Sequence, residues 1–157
     1  MSMRGEPELR ALNERYFHAL DQRDLDAVGE CFAEDAVSVY LGGDWEFTGR
    51  DALVEGLAVI KSFASTIHVP TTMSFAADGE GATGTVFAIA YIAMGVGEAA
   101  KVVVRGLRYS DRYACEDAVW RISWRRQDPL WQYEVPTVRP EVPGQDTPPD
   151  DDRSDRS

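Results

Sequence analysis

The sequence predicts an α+β fold: three helices set on one side of a strongly curved, mixed but mostly antiparallel β-sheet. Two observations lead there. Three segments before Thr66 carry apolar side chains at helical spacing, whereas from Thr66 onward apolar and polar residues alternate with the period of a strand, in runs separated by turn residues. At 157 residues the chain is long enough for one domain with a real core and too short for two ordinary ones.

The elements follow in order. Leu12, Tyr16 and Leu20 lie four residues apart between Pro7 and Gln22, which predicts an amphipathic helix ending near Asp21. Asp24 is a suitable N-cap for a second, short helix whose stripe is Leu25, Val28 and Phe32. Ala36 to Tyr40 reads as a strand, Gly42-Gly43 as a turn and Trp45 to Phe47 as a brief extended piece. Thr48 is then placed to cap a third helix with Leu53, Leu57 and Ile60 on one face. Four longer strands are expected at Thr66–Phe75, Ala82–Met94, Lys101–Ala114 and Val119–Arg126, with turns at Asp78-Gly79, Gly95 to Gly97 and Glu116-Asp117. Residues 1–8 are expected to be a flexible N-terminus, 9–137 the domain, and 138–157 a disordered acidic tail. That tail holds Pro140, Pro143, Pro148, Pro149 and the run Asp150-Asp151-Asp152, too little apolar surface to offset the entropy of ordering.

Composition excludes several functions. A net charge of −11, from 27 acidic and 16 basic side chains, repels phosphate backbones and anionic membrane surfaces, so neither nucleic acid nor membrane is an expected partner. The polar start, Met1 to Glu8, has no apolar leader core and no apolar run approaches membrane-spanning length, which predicts a cytoplasmic protein. Cys31 and Cys115 are isolated and lack the spacing of a zinc or redox pair. The run Gly79-Glu80-Gly81-Ala82-Thr83-Gly84 has the GxGxxG spelling of a dinucleotide-binding turn. It leads into the strand-like Thr85 to Ile89 rather than a helix, so a hairpin turn is expected. No cofactor and no metal are expected.

A curved sheet with helices on one side can enclose a small ligand on its concave face. Gly84, Ala88 and Ala90 share parity with Val86 and Ile92, and such small side chains leave room equally for a ligand or for a close-packed helix. Of the two histidines, His18 adjoins the Tyr16 and Leu20 stripe without lying on it and is expected to be exposed. His68 shares strand parity with Thr66, Thr72 and Ser74, a polar face that suits either a pocket wall or solvent. Arg125 is in the same position, sharing parity with Arg121 and Ser123 opposite Trp120, Ile122 and Trp124. An imidazole beside a carboxylate can accept a proton near neutral pH, so a pairing of Asp21 with His68 would point to proton-transfer chemistry; their spacing alone does not establish contact.

The runs Tyr16-Phe17-His18-Ala19-Leu20-Asp21, Arg23-Asp24-Leu25-Asp26, Phe32 to Val37, Gly49-Arg50, Thr66-Ile67-His68, Tyr109-Ser110-Asp111-Arg112 and Trp120-Arg121-Ile122 resemble the SnoaL-like branch of the nuclear-transport-factor-2-like superfamily. The resemblance runs from about Ala11 to Trp131 and implies a cone-shaped α+β barrel in which the sheet wraps the helices around a cavity. Within that superfamily the pattern is similar to scytalone dehydratase and hexachlorocyclohexane dehydrochlorinase. That similarity implies Asp21 and His68 as a catalytic dyad, Arg125 directed at a departing group, and Tyr40 acting through an ordered water. The pattern departs from scytalone dehydratase at Leu20 and Ile92, where that enzyme has a tyrosine and a second histidine, so its substrate contacts do not carry over.

The resemblance thus implies a cofactor-independent lyase or isomerase, dehydratase-like or polyketide-cyclase-like, acting on a small hydrophobic metabolite. Tyr16, Leu20, Ile92, Tyr109 and Trp131 are the candidate substrate contacts. Tyr16 serves the cavity or the core equally well, Trp131 closes the mouth or pins the chain end, and Asp111 either lines the pocket or forms a structural charge pair with Arg105. The alternative is a non-catalytic ligand-binding or assembly domain. A homodimer through the sheet face, with Trp120, Ile122 and Trp124 as its apolar surface, is compatible with both.

Overall fold

The computed structural model describes residues 5–95 and 97–137. The expected tail, 138–157, lies outside the described residues. Helix α1 (Glu6–Gln22) begins inside the segment expected to be flexible, because Pro7 starts a helix readily and Leu9 is already fully buried. The helix buries Leu9, Leu12, Tyr16, Phe17 and Leu20, and ends where Arg23 turns left-handed (φ 58°) and its N–H caps the Ala19 and Leu20 carbonyls. Asp24 then caps α2 (Leu25–Glu30) as expected, its carboxylate accepting from the Ala27 N–H at 3.1 Å.

Two local expectations are corrected here. Phe32 does not extend the helical stripe; it opens β1 (Phe32–Tyr40), because the Ile122 N–H takes the Cys31 carbonyl and starts sheet pairing at once. Thr48 does not cap the third helix. It stays in β2 (Trp45–Thr48), paired with Val37, and Gly49 (φ 89°) makes the turn into α3 (Arg50–Leu57).

The rest is a meander of long strands: β3 (Ser65–Asp78), β4 (Gly81–Met94), β5 (Lys101–Glu116) and β6 (Val119–Pro136). The sheet order is β2-β1-β6-β5-β4-β3, antiparallel throughout except for the β1–β6 pair. This is the predicted α+β class, three helices on an open, curved, mostly antiparallel six-stranded sheet. The GxGxxG run is a hairpin turn, with Gly79 at φ 60° and Gly81 starting β4. Strand β6 runs past its expected end at Arg126 because pairing with β5 continues from Gln127 to Pro136.

Bulges give the sheet its curvature and overturn strict alternation. In β3, Pro70 pairs with Ala88 but Met73 pairs with Val86, so Thr71 and Thr72 together oppose Phe87. Thr66 and His68 therefore face inward before the bulge, and Met73 and Phe75 pack on the core after it. In β6, Ile122 pairs with Tyr113 and Trp124 with Arg112, leaving Ser123 as the extra residue. Ile122 and Arg125, expected on opposite faces, are both fully buried as a result. Trp120, Ile122 and Trp124 accordingly form no common apolar surface: Trp120 packs against the core, Ile122 lies within it, and Trp124 lies beneath the Arg112 guanidinium.

The stripe of small residues on β4 resolves as packing. Ala88 and Ala90 are buried in the core, and the rings of Phe75 and Tyr113 close over Gly84, leaving Ile92 as the member of that face that reaches the cavity.

Candidate active site

A cavity opens between the end of α1, the segment Leu57 to Phe63 and the concave face of the sheet. Leu20, Leu41, Trp45, Leu57, Val59, Ile60, Phe63 and Ile92 make its apolar wall; Tyr16, Tyr40, Thr66, His68, Arg105, Tyr109 and Gln127 supply polar groups. The volume open to the centre of a water molecule is about 110 Å³. That is several times the roughly 10–15 Å³ that admits one water, so the chamber suits a small organic molecule such as a single-ring metabolite.

Asp21 and His68 meet on its wall. Asp21 sits in the last turn of α1, and His68 is the fourth residue of β3, inward-facing with Thr66. The His68 ring Nδ1 lies 2.7 Å from Asp21 Oδ1, the His68 backbone N–H donates to Oδ2 at 2.7 Å, and the Thr66 hydroxyl donates to Oδ1 at 2.9 Å. Burial opposes ionisation of Asp21. The bonds from the His68 ring and backbone, the imidazole charge and the Thr66 hydroxyl outweigh it and hold the carboxyl below its ordinary range. An ionised carboxylate only accepts hydrogen bonds, so the proton facing it belongs to Nδ1, and the neutral ring presents Nε2 as a base. Phe17 stacks on the imidazole (centroids 5.8 Å apart, 21° between planes) and fixes its orientation.

Across the cavity the Tyr16 and Tyr40 hydroxyls are 2.9 Å apart. Burial pushes the phenols of Tyr16, Tyr40 and Tyr109 well up, so each keeps its proton. One hydroxyl of the Tyr16–Tyr40 pair donates to the other, and both residues line the cavity. Gln127 ties this wall together, donating to the Tyr109 hydroxyl at 3.4 Å and accepting from the Leu41 N–H at 3.2 Å.

Arg125 is fully buried, but it does not line the cavity. Its Nε and Nη2 donate to the two Asp111 oxygens at 2.8 and 2.7 Å, and Nη2 also donates to Asn13 Oδ1 at 2.6 Å. The guanidinium is sandwiched between the Tyr16 and Tyr109 rings, 4.3 and 4.7 Å from their centroids. Burial disfavours its charge, but Asp111 more than compensates, and the arginine stays charged. The direct contact with a departing group that the resemblance implied is therefore not what this geometry offers. Asp111 does form a structural charge pair, with Arg125 rather than Arg105.

Of the expected substrate contacts, Tyr16, Leu20, Ile92 and Tyr109 line the cavity and Trp131 does not. Trp131 pairs with Gly106, on the opposite sheet face from the row His68, Ala90, Arg105 and Gln132, and its ring occupies the space a side chain at 106 would take. His18 is exposed, as expected. Sequence reasoning missed Thr66 and Phe17 as positioning residues, and Gln127 and Arg105 as lining. Thr66 carried a signal, since its parity with His68 on one strand was visible. Among the described residues no group of three or more His, Cys, Asp or Glu side chains could hold a metal. No described helix is long and apolar enough to cross a membrane.

An open curved sheet closing on three helices, with a histidine–carboxylate pair on the wall of the pocket between them, defines a class of small pocket-bearing α+β domains. The chain belongs to the SnoaL-like domain family, whose sequence profile matches residues 2–126. No curated protein matches the sequence. Among solved structures it is similar to an Asp-to-Asn variant of Rv3472, a Mycobacterium tuberculosis protein of unknown function, with 29% identity over 77% of this chain and 69% of that one (TM-score 0.67). It is also similar to a scytalone dehydratase-like protein from Novosphingobium aromaticivorans, with 19% identity over 89% and 93% of the two chains (TM-score 0.72). A type 2 hexachlorocyclohexane dehydrochlorinase, LinA, shares the fold at 15% identity over 87% and 92% (TM-score 0.72).

Proposed function

We propose that the protein is a cofactor-independent lyase or isomerase in which His68 removes a proton from a small, largely apolar substrate. The observation that carries this reading is the 2.7 Å bond from His68 Nδ1 to Asp21 on the wall of an apolar cavity, which leaves Nε2 as the basic nitrogen. Asp21 holds the tautomer and stabilises the imidazolium that forms. The Tyr16–Tyr40 pair supplies a preset O–H donor for the oxygen on which charge develops, an arrangement worth about 100-fold or more in rate in comparable sites. Arg125, paired with Asp111, packs on the Tyr16 ring 4.3 Å from its centroid and does not line the cavity. The dehydratase-like and dehydrochlorinase structures that share the fold support a lyase-type reaction.

Proton abstraction can be tested before the leaving group is known. Single-ring ketones and acids with an acidic α C–H are incubated with the protein in D2O, and deuterium uptake is followed by proton NMR. Wild type is expected to accelerate exchange in at least one of them and His68→Ala to abolish the acceleration. Exchange no faster than buffer throughout, or equal rates in the two proteins, would refute the reading.

One observation favours assembly as well. Ile67, Tyr91 and Tyr133 lie in one row of the sheet, and Val69 and Trp131 in the next, all on the face turned away from the cavity. These side chains are exposed, Ile67 at 58% and Tyr133 at 52%. We propose that a second copy of the chain covers this surface, a self-complementary contact that leaves the cavity mouth free.

A further inference from the structure

We infer that Arg105 is the specificity-determining residue of the cavity, and that it selects ligands bearing a carboxylate. The inference rests on the proposed reading of this site and names the chemistry of its substrate. Arg105 lies on β5 in the same inward row as His68: His68 pairs with Ala90, Ala90 with Arg105, and Arg105 with Gln132. Two strand spacings, about 10 Å, separate the two backbones, and only the Ala90 methyl stands between them. Base and guanidinium thus look into the same cavity from positions a single-ring molecule can span.

The charge pattern is what points to an acid. Arg105 is the one arginine or lysine lining the cavity, and no Asp or Glu lines it. Arg125, deeper in the wall, is neutralised by Asp111 through two bonds. Arg105 forms no ion pair among the described residues, in a chain with 27 acidic against 16 basic side chains. Its one side-chain bond runs from Nε to the neutral Gln132 Oε1 at 2.6 Å, which fixes the fork and leaves both terminal nitrogens as donors. A planar fork held by its Nε, half-buried beside an apolar chamber, matches a carboxylate with two parallel N–H···O bonds. The substrate is accordingly a small carboxylic acid with its ring against Leu20, Ile60 and Ile92 and its reacting C–H toward His68.

Calorimetric binding of matched acids and amides tests this: benzoate with benzamide, phenylacetate with phenylacetamide, cinnamate with cinnamamide. Wild type should bind at least one acid about tenfold or more tightly than its amide, the size expected of charge-assisted bonds. Arg105→Gln should lose that preference, Arg105→Lys should keep part of it, and His68→Ala should keep it while losing deuterium exchange. No acid preference in wild type across the series, or a preference that survives in Arg105→Gln, overturns the inference. An acid preference without deuterium exchange upholds Arg105 and removes the catalytic reading. Exchange of neutral ketones without acid preference does the reverse.

Discussion

Replacing Asp21 with asparagine changes one atom and should reverse the polarity of His68. In the native protein Oδ2 accepts from the His68 backbone N–H, which cannot rotate away, while Oδ1 accepts from the ring and from the Thr66 hydroxyl, which can turn. The asparagine oxygen must therefore take the backbone N–H, and its NH2 group then faces Nδ1. A donor opposite Nδ1 forces that nitrogen to accept, moving the ring proton to Nε2, where it points into the cavity and blocks proton abstraction. Positioned general bases contribute about 10²–10⁴-fold, so deuterium exchange in Asp21→Asn should fall by that factor with little change in ligand binding. The tautomer itself is read by long-range proton–nitrogen NMR, which distinguishes Nδ1–H from Nε2–H. A variant that keeps Nδ1–H and loses exchange, or switches tautomer and keeps exchange, would refute the argument linking geometry to chemistry.

Three further outcomes follow from the same structure. Asp111→Asn leaves the fully buried Arg125 opposite a neutral amide, and breaking such a pair should cost about 3–5 kcal/mol in urea unfolding, while joint replacement of Asp111 and Arg125 by Leu and Met should recover most of it. Because the Asp21 carboxyl is held below its ordinary range when folded, its contribution is present above about pH 4 and disappears as pH falls through the lowered value; the stability gap between wild type and Asp21→Asn should therefore close in acid. Tyr133→Glu, tested by sedimentation, should shift the protein toward monomer if a second copy covers the outer face.

The order of elements was legible because it rests on local signals, four-residue spacing and an N-cap at Asp24. The Asp21–His68 pairing came instead from the order of elements and the family resemblance, since the polar strand face holding Thr66 and His68 suited pocket or solvent alike. What was not legible depends on the register of one strand against another. The extra residue at Ser123 brings Ile122 and Arg125 to the same side, and alternation read along a single strand cannot show it. Trp131 was open between closing the mouth and pinning the chain end because the end of β6 was set at Arg126; once pairing continues to Pro136, its partner Gly106 fixes it on the face away from the cavity. Arg125 was read by its chemical type, whereas its role follows from Asp111, the residue directly across on β5. The same short reach hid Arg105, whose importance comes from facing His68 across Ala90.

The bulge at Ser123 bears on how such a domain can diverge. Point substitutions alter which side chain sits at a site but leave the facing of every other residue on the strand unchanged. Removing one residue there would reverse the facing of the strand on one side of the deletion relative to the other, so that Ile122 and Arg125 could not both remain inside. The insertion therefore ties the core below the pocket to the cation beneath its wall. A chain without the extra residue could keep a buried cation at this place only by supplying it from another strand.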